Sequence, residues 1–507
     1  MKKWICRLVI VISMLLGLGA IHVFAADAPS GTFRYAENVV VVTMDPHKHT
    51  GGGIVYLTPV SETLFQRTSD NEIVPFLATG YKFEGLNVEL TLRKDVSFSD
   101  GEPFTAEVAA ANINRGAQLK IVRSLFVVKE AKATGKYTFE VTLNSPDPSF
   151  IESLAGVGGM MVSSRAMADP ALDRNPVGTG PYVYNASLSR EGEKSVYTLN
   201  KTYWDPAAQG LEKIEILAIP DDTARLNALS TGQIDMAMYL SSPQAKMVEK
   251  TPGLRLIKKI GGSAYHLVIM DREGTKVPAF ADKRVRQAMS YAIDRQAFSD
   301  VVQFGLATPA VQPVAKGHWA YNPALEGKFE YNPEKARQLL AEAGYKDGFT
   351  FSIPSISVFA ARLEALAGFF GDVGITMKIE PVEPGTLARR SRNTEFPATN
   401  LVWGQLRDPS FLSSWYLDED ASFNPFKVKP SPRLAELMQQ GTATMDIDKR
   451  APVYREIFEI LADESIVIYI TTESSLTGSS EEMANNPTVE FAAGTSWPTW
   501  RGLRKNR

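Results

Sequence analysis

The stretch Leu90-Thr91-Leu92-Arg93-Lys94-Asp95-Val96-Ser97-Phe98-Ser99-Asp100-Gly101-Glu102-Pro103-Phe104-Thr105-Ala106 is the most informative in the chain. Apolar and polar residues alternate over Val88–Leu92, the two-residue period of a half-buried strand. Asp100-Gly101 is a turn signal, so the block from Phe98 to Ala106 reads as a strand, a tight turn and a helix start. Tyr137–Leu143 alternates in the same way. The region from about 60 to 175 therefore reads as a β-rich insert with antiparallel or mixed strands.

Outside that insert, helix and strand signals alternate. Asp221 or Asp222 caps a short helix over Asp222–Ser230, Gly232 stops it, and Ile234–Tyr239 follows as a strand. Asp282 caps a helix whose Val285, Ala288, Met289, Ala292 and Ile293 recur at helical spacing. Asn332-Pro333 starts another, with proline at the first helical position and Gly344 as its stop. Arg362–Gly371 feeds a strand over Ile375–Val382, and Arg450–Asp463 is amphipathic ahead of a buried strand, Ile466–Ile470. This pattern predicts a mixed α/β protein of several lobes.

The chain has 507 residues, enough for about three domains. It is 44% hydrophobic and 22% charged, as in soluble globular proteins, which excludes a fibre, a disordered chain and a polytopic membrane protein. Lys and Arg number 54 against 57 Asp and Glu, so the basic excess of a nucleic-acid binder is missing. Lys2, Lys3 and Arg7 precede an apolar run, Leu8–Leu18, and Val23-Phe24-Ala25 offers a cleavage site. This reads as a signal peptide over residues 1–25, cut near Ala25. Cleavage leaves 51 basic and 57 acidic residues, a charge of −6. It also removes Cys6, the only cysteine, so the exported chain holds no disulfide and no thiolate site.

Catalytic signatures are missing. No Gly-x-Ser-x-Gly, Ser-x-x-Lys or HExxH occurs. His47-Lys48-His49 reads as loop histidines, because Lys48 between them adds charge that disfavours a metal. Gly178-Thr179-Gly180-Pro181-Tyr182 lacks the Lys-Ser/Thr of a phosphate loop, and Pro181 removes an amide, so it reads as a special turn where glycine tolerates the required dihedrals. An exported, cysteine-free, multi-lobed chain without a nucleophile suits a binding protein, which needs a cleft and a hinge.

Seven segments in order carry a family resemblance. They are Thr43–His47, Leu90–Ala106, Asn175–Tyr182, Asn200–Trp204, Gly232–Asp235, Val285–Arg295 and Ala336–Tyr345. The chain resembles the solute-binding proteins of ABC importers for peptides and nickel, family 5. The resemblance implies a two-lobed α/β fold of the periplasmic-binding-protein type II kind, in the large three-domain cluster, with a hinge between lobes. It implies one lobe of about 27–64, 183–283 and 476–507, a domain of 65–182 attached to it, and a second lobe of 284–475. The glycine-rich turn at 178–182 falls where such proteins pass between lobes.

The resemblance also implies an interlobe ligand site. Its candidates are His49 and Ile54, after the glycines Gly51-Gly52-Gly53, and Trp403, Arg407 and Asp408 on the second lobe. Trp403 would give a flat apolar wall. Peptide binders place an aspartate soon after this tryptophan to pair the ligand's amine, whereas this chain reads Gly404-Gln405-Leu406. Arg407 brings a planar cation suited to carboxylate. The expected ligand is peptide-like or another small carboxylate-bearing solute: a modified amino acid, an opine-like compound or a metal chelate. No histidine lies in Asp418–Phe426, which argues against free nickel. The expected protein is a periplasmic monomer that serves a membrane permease, with no cofactor, resident metal, catalytic residue or nucleic-acid partner. A secreted hydrolase and a non-transport sensory or chaperone-like relative are the alternatives.

Overall fold

The computed structural model describes residues 29–49, 53–68, 72–383, 386–404, 408–483, 489 and 500–505, and at 260–262, 403 and 404 the backbone alone. The expected signal peptide and Cys6 lie outside these residues. Among the described residues, no helix is long and apolar enough to cross a membrane.

The insert read from the opening block is a four-stranded antiparallel sheet in the order Ala78–Glu84, Asn87–Leu92, Thr138–Leu143, Val128–Ala133. Along Asn87–Leu92 the side chains alternate, with Val88, Leu90 and Leu92 buried. The helix Ala106–Leu119 covers the sheet through Ala106, Ala109 and Ile113. Phe98 and Phe104 are fully buried and meet edge to face at 5.8 Å. Between them the chain forms a bridge from Ser97 to Pro103 rather than a full strand. Gly101 turns it with φ +84°, a left-handed angle that favours glycine.

A nine-stranded sheet holds the rest together. Its order is Ala398–Gly404, Leu254–Ile269, Val467–Ser480, Met236–Ala237, Thr32–Glu37, Lys213–Ala218, Lys194–Leu199, Tyr182–Tyr184, and Ala307–Pro309 also pairs with Val467–Ser480. Two of its strands are long, at 16 and 14 residues, and they pair antiparallel from Leu254↔Ser480 to Val268↔Val467. At one end Ile257 and Leu476 pack in cores built on Phe33, Tyr35 and Leu229. At the other end Tyr265, Leu267, Ile468 and Ile470 pack in a core with Met289, Leu340 and Leu366. The register shifts between Lys259 and Ser263, at Ile260-Gly261-Gly262, and again between Tyr265 and His266. Both strands thus pass from one core to another, and the first shift lies at the passage. Residues Tyr265–Phe280 pack with the second core, so the passage falls well before residue 284.

The glycine-rich turn holds a surprise. Neither Gly178 nor Gly180 has a positive φ. A Cβ at Gly178 would sit 2.2 Å from the Val60 carbonyl oxygen, and one at Gly180 2.5 Å from that of Pro59. The glycines permit backbone-to-backbone contact, sealed by the Gly180 amide donating to Val60 at 2.7 Å, and they do not supply unusual dihedrals.

Helix caps follow the sequence closely. Asp221, Asp282 and Asn332 each accept a backbone N–H at the start of Asp222–Ser230, Lys283–Ala292 and Pro333–Glu342. The strand expected over Ile466–Ile470 runs on to Ser480, because its second half pairs across the passage.

Candidate functional site

Two Asp-Pro loops, one from each side of the passage, share one device. In the first, Asp45 is fully buried and caps the turn Pro46–Lys48 by accepting the His47 amide at 3.0 Å. Arg115, on the helix Ala106–Leu119, donates to both its oxygens at 2.9 and 2.6 Å. The same guanidinium donates to His47 Nδ1 at 2.7 Å, which fixes that nitrogen as an acceptor. Burial, then the charge of Arg115, lowers the His47 pKa to about 4 against the favourable charge of Asp45.

His49 follows at 6% exposure, and burial lowers its pKa against a hydrogen bond with the Gly53 backbone. Gly53 has φ +78° and opens the turn Ile54–Tyr56. Ile54 is 5% exposed and belongs to the core of Phe33, Tyr35 and Leu57. Gly51 and Gly52 lie outside the described residues.

The second loop leaves the strand Ala398–Gly404, where Trp403 pairs with Ala264. Ala264 belongs to a cluster with Leu412 and Tyr416. Arg407 lies outside the described residues. Asp408 accepts the Ser410 amide at 2.9 Å and both Arg450 nitrogens, Nη1 and Nη2, at 2.7 Å. The two side chains are 10% and 3% exposed. Burial alone would push the Asp408 carboxyl up, but the Arg450 hydrogen bonds and charge outweigh it and hold it below the ordinary range. Arg450 also donates to the Gly441 carbonyl at 2.7 Å and lies over Trp319.

Beyond Asp408 the chain makes a π-helical turn, Ser413–Leu417, a wide turn found often at functional sites. It presents Trp415, half-buried, between Phe411 at 4.7 Å and Phe423 at 5.5 Å, the latter stacked at 17°. Two guanidiniums approach this aromatic platform. Arg392 lies 5.4 Å from the Trp415 ring and 5.1 Å from that of Phe423. Arg123, from the domain with the four-stranded sheet, reaches Trp415 at 5.7 Å. Among the described residues, neither arginine is within ion-pair distance of an acid, and both are exposed. Burial, then the charge of Arg123, lowers the Arg392 pKa.

The arrangement can therefore do one thing well. It holds two cations, with no acid in ion-pair distance among the described residues, beside an aromatic cluster, where an anionic molecule gains charge-assisted hydrogen bonds. Sequence reading missed Arg123, Arg392 and Trp415. The signals were the basic run Arg389-Arg390-Ser391-Arg392 and the aromatics at 411, 415 and 423. The described residues hold no cluster of three or more His, Cys, Asp or Glu side chains suited to a metal.

The model of the bacterial extracellular solute-binding proteins, family 5 (middle region), matches residues 72–423. The nickel-binding periplasmic protein of Escherichia coli K12 is 26% identical over 522 residues, covering 94% of this chain and 95% of the relative. A glutathione-binding protein, GsiB, of Salmonella choleraesuis is 30% identical over 341 residues, 64% of each chain. In structure, the chain is similar to the ABC transporter-associated periplasmic binding protein DppA of Helicobacter pylori in complex with the peptide STSA. The TM-score is 0.78 at 24% identity, over 95% of this chain and 99% of that one.

Proposed function

The chain belongs to the bacterial extracellular solute-binding proteins of family 5, and from that premise we propose that it is the periplasmic receptor of an ABC importer for a small solute bearing at least one carboxylate. It captures the solute between its lobes and delivers it unaltered to the membrane permease. One observation carries this reading: Arg123 and Arg392 meet at Trp415, and no acid among the described residues is within ion-pair distance of either. Two cations held near each other repel, and a bound anion turns that repulsion into a bridge between the domains. Closure dries the site and strengthens the contacts.

In this reading Trp403 and Arg407 remain candidate contacts for the same solute, the first as an apolar wall and the second as a cation. Asp408 orients the second loop through Arg450, and His49 and Ile54 support the facing one. The lobes are those of the two large cores, with residues 65–182 riding on the first. Relatives named for nickel and glutathione binding suggest metal chelates and modified peptides as solutes to try first.

Native mass spectrometry of protein taken from its own cells identifies the passenger. Thermal unfolding then ranks glutathione, opine-like compounds, metal–histidine chelates and dipeptides, since stabilisation grows as RT ln(1 + [L]/Kd). A carboxylate-bearing solute raises Tm with concentration and is recovered intact. Turnover of that solute, or a passenger without an anionic group, contradicts the proposal.

A further inference from the structure

A cavity of about 790 Å³, which shares no lining residue with the Trp415 platform, lies between the strand Ala307–Pro309 and the loop that returns to Asn332. Its walls are mainly apolar, with Pro309, Val311, Val314 and Phe329 among them. The buried cation in its lining is Arg295, 7% exposed. Arg295 Nε donates to the carbonyls of Ala310 and Tyr469 at 3.1 and 2.9 Å. Its Nη1 donates to those of Ser290 and Phe329 at 3.0 and 3.1 Å.

Its Nη2 makes no hydrogen bond among the described residues, yet it is not sealed from solvent as the fully buried unpartnered atoms are. Among the described residues, no carboxylate lies within ion-pair distance of this arginine, and burial lowers its pKa only to about 10, so it stays cationic at neutral pH. A buried charge without a counter-ion is costly, and this one has two donor hydrogens to spare.

The acids of the lining are already engaged or turned outward. Asp294 caps Ala297 at 2.9 Å, Glu326 accepts from Lys316 and from the Tyr321 hydroxyl, and Glu330 is exposed. The Lys328 ammonium sits 5.6 Å from the Phe329 ring and adds a second cation.

We propose that this cavity is a second binding site, for a small amphiphile whose single anionic head takes Arg295 Nη2 while its apolar body fills the space along Val311 and Val314. The volume falls in the range that takes drug-sized ligands. Trp415, Arg392 and Arg123 are not among its lining residues.

The probe is 8-anilinonaphthalene-1-sulfonate, an anionic apolar dye, titrated into the full exported chain. Its fluorescence should rise saturably to one site per chain. Octanoate should displace it, and the uncharged octanamide about tenfold less well, the discrimination a charge-assisted hydrogen bond supplies. Val311→Trp fills the cavity without removing Arg295 from its carbonyls, and should weaken the dye about tenfold or more. The same variant should keep the thermal shift given by the interlobe solute, and that solute should leave the dye bound. The proposal is overturned by the absence of saturable binding, by equal displacement by octanoate and octanamide, by a Val311→Trp variant that binds dye like the parent, or by displacement of the dye by the interlobe solute.

Discussion

The two Asp-Pro loops are built alike and surrounded differently. Each aspartate caps the amide two residues on and takes both terminal nitrogens of an arginine from a distant helix. In the first loop the arginine also engages a buried histidine, and its side chain keeps 22% exposure. In the second, Arg450 is 3% exposed and lies against two aromatic rings. The arginines near the platform behind the second loop, Arg123 and Arg392, have no such acid among the described residues. The difference teaches that an arginine satisfied by a carboxylate holds a loop in place, whereas an exposed one beside a half-buried ring keeps donors for a ligand.

The largest expected effect comes from stranding a buried charge. Asp408→Ala leaves Arg450 unpaired in the interior and should cost about 3–5 kcal/mol in urea unfolding. Asp45→Ala should cost less, because Arg115 still reaches water and His47. Equal losses would show that burial of the arginine does not set the penalty.

Acid should separate the loops next. His47 folds neutral, with a pKa near 4 against its ordinary 6.5, so the unfolded chain takes the proton first. Stability therefore falls as pH drops from 6.5 towards 4, by up to about 3 kcal/mol for this group. His266, also near 4, acts in the same sense, and the buried Glu37, Glu62 and Glu473, whose pKa values burial raises, act in the opposite one. A comparison with His47→Asn cancels those groups and isolates the difference. Asp408 is depressed below 3.8, so its contribution is intact above that pH and is lost only as pH falls through its lower folded value. Hydrogen exchange at pH 4.5 should find residues 44–49 opening while 408–417 stay protected.

The smallest effect on folding should come from the platform. Arg123→Ala and Arg392→Ala remove exposed cations without acid partners, so unfolding free energy should stay within about 0.5 kcal/mol of the parent. A larger loss from either would make it a structural strut like Arg450.

Local signals were legible in the sequence. The alternation of Val88–Leu92 and the caps Asp282 and Asn332 act within a few residues, and each appears where its pattern places it. The motif Asp45-Pro46-His47 was visible as a motif but not as an ion pair, since Arg115 lies 70 residues away. Asp408 and Arg450 are 42 residues apart. Arg123 lies beside the core of Val122 and Leu125 and Trp415 beside that of Tyr416 and Phe423, and only the fold brings them together. Gly178 and Gly180 illustrate the same limit, because a requirement for glycine was legible while its cause, the Pro59–Ser61 backbone, was not.

Titration calorimetry of the recovered passenger into the parent chain, Arg123→Ala and Arg392→Ala tests the central claim most directly. Loss of a charge-assisted contact in each variant should weaken binding about tenfold or more, with stability unchanged. Affinity equal to the parent's in both variants would contradict capture of an anion between the two domains.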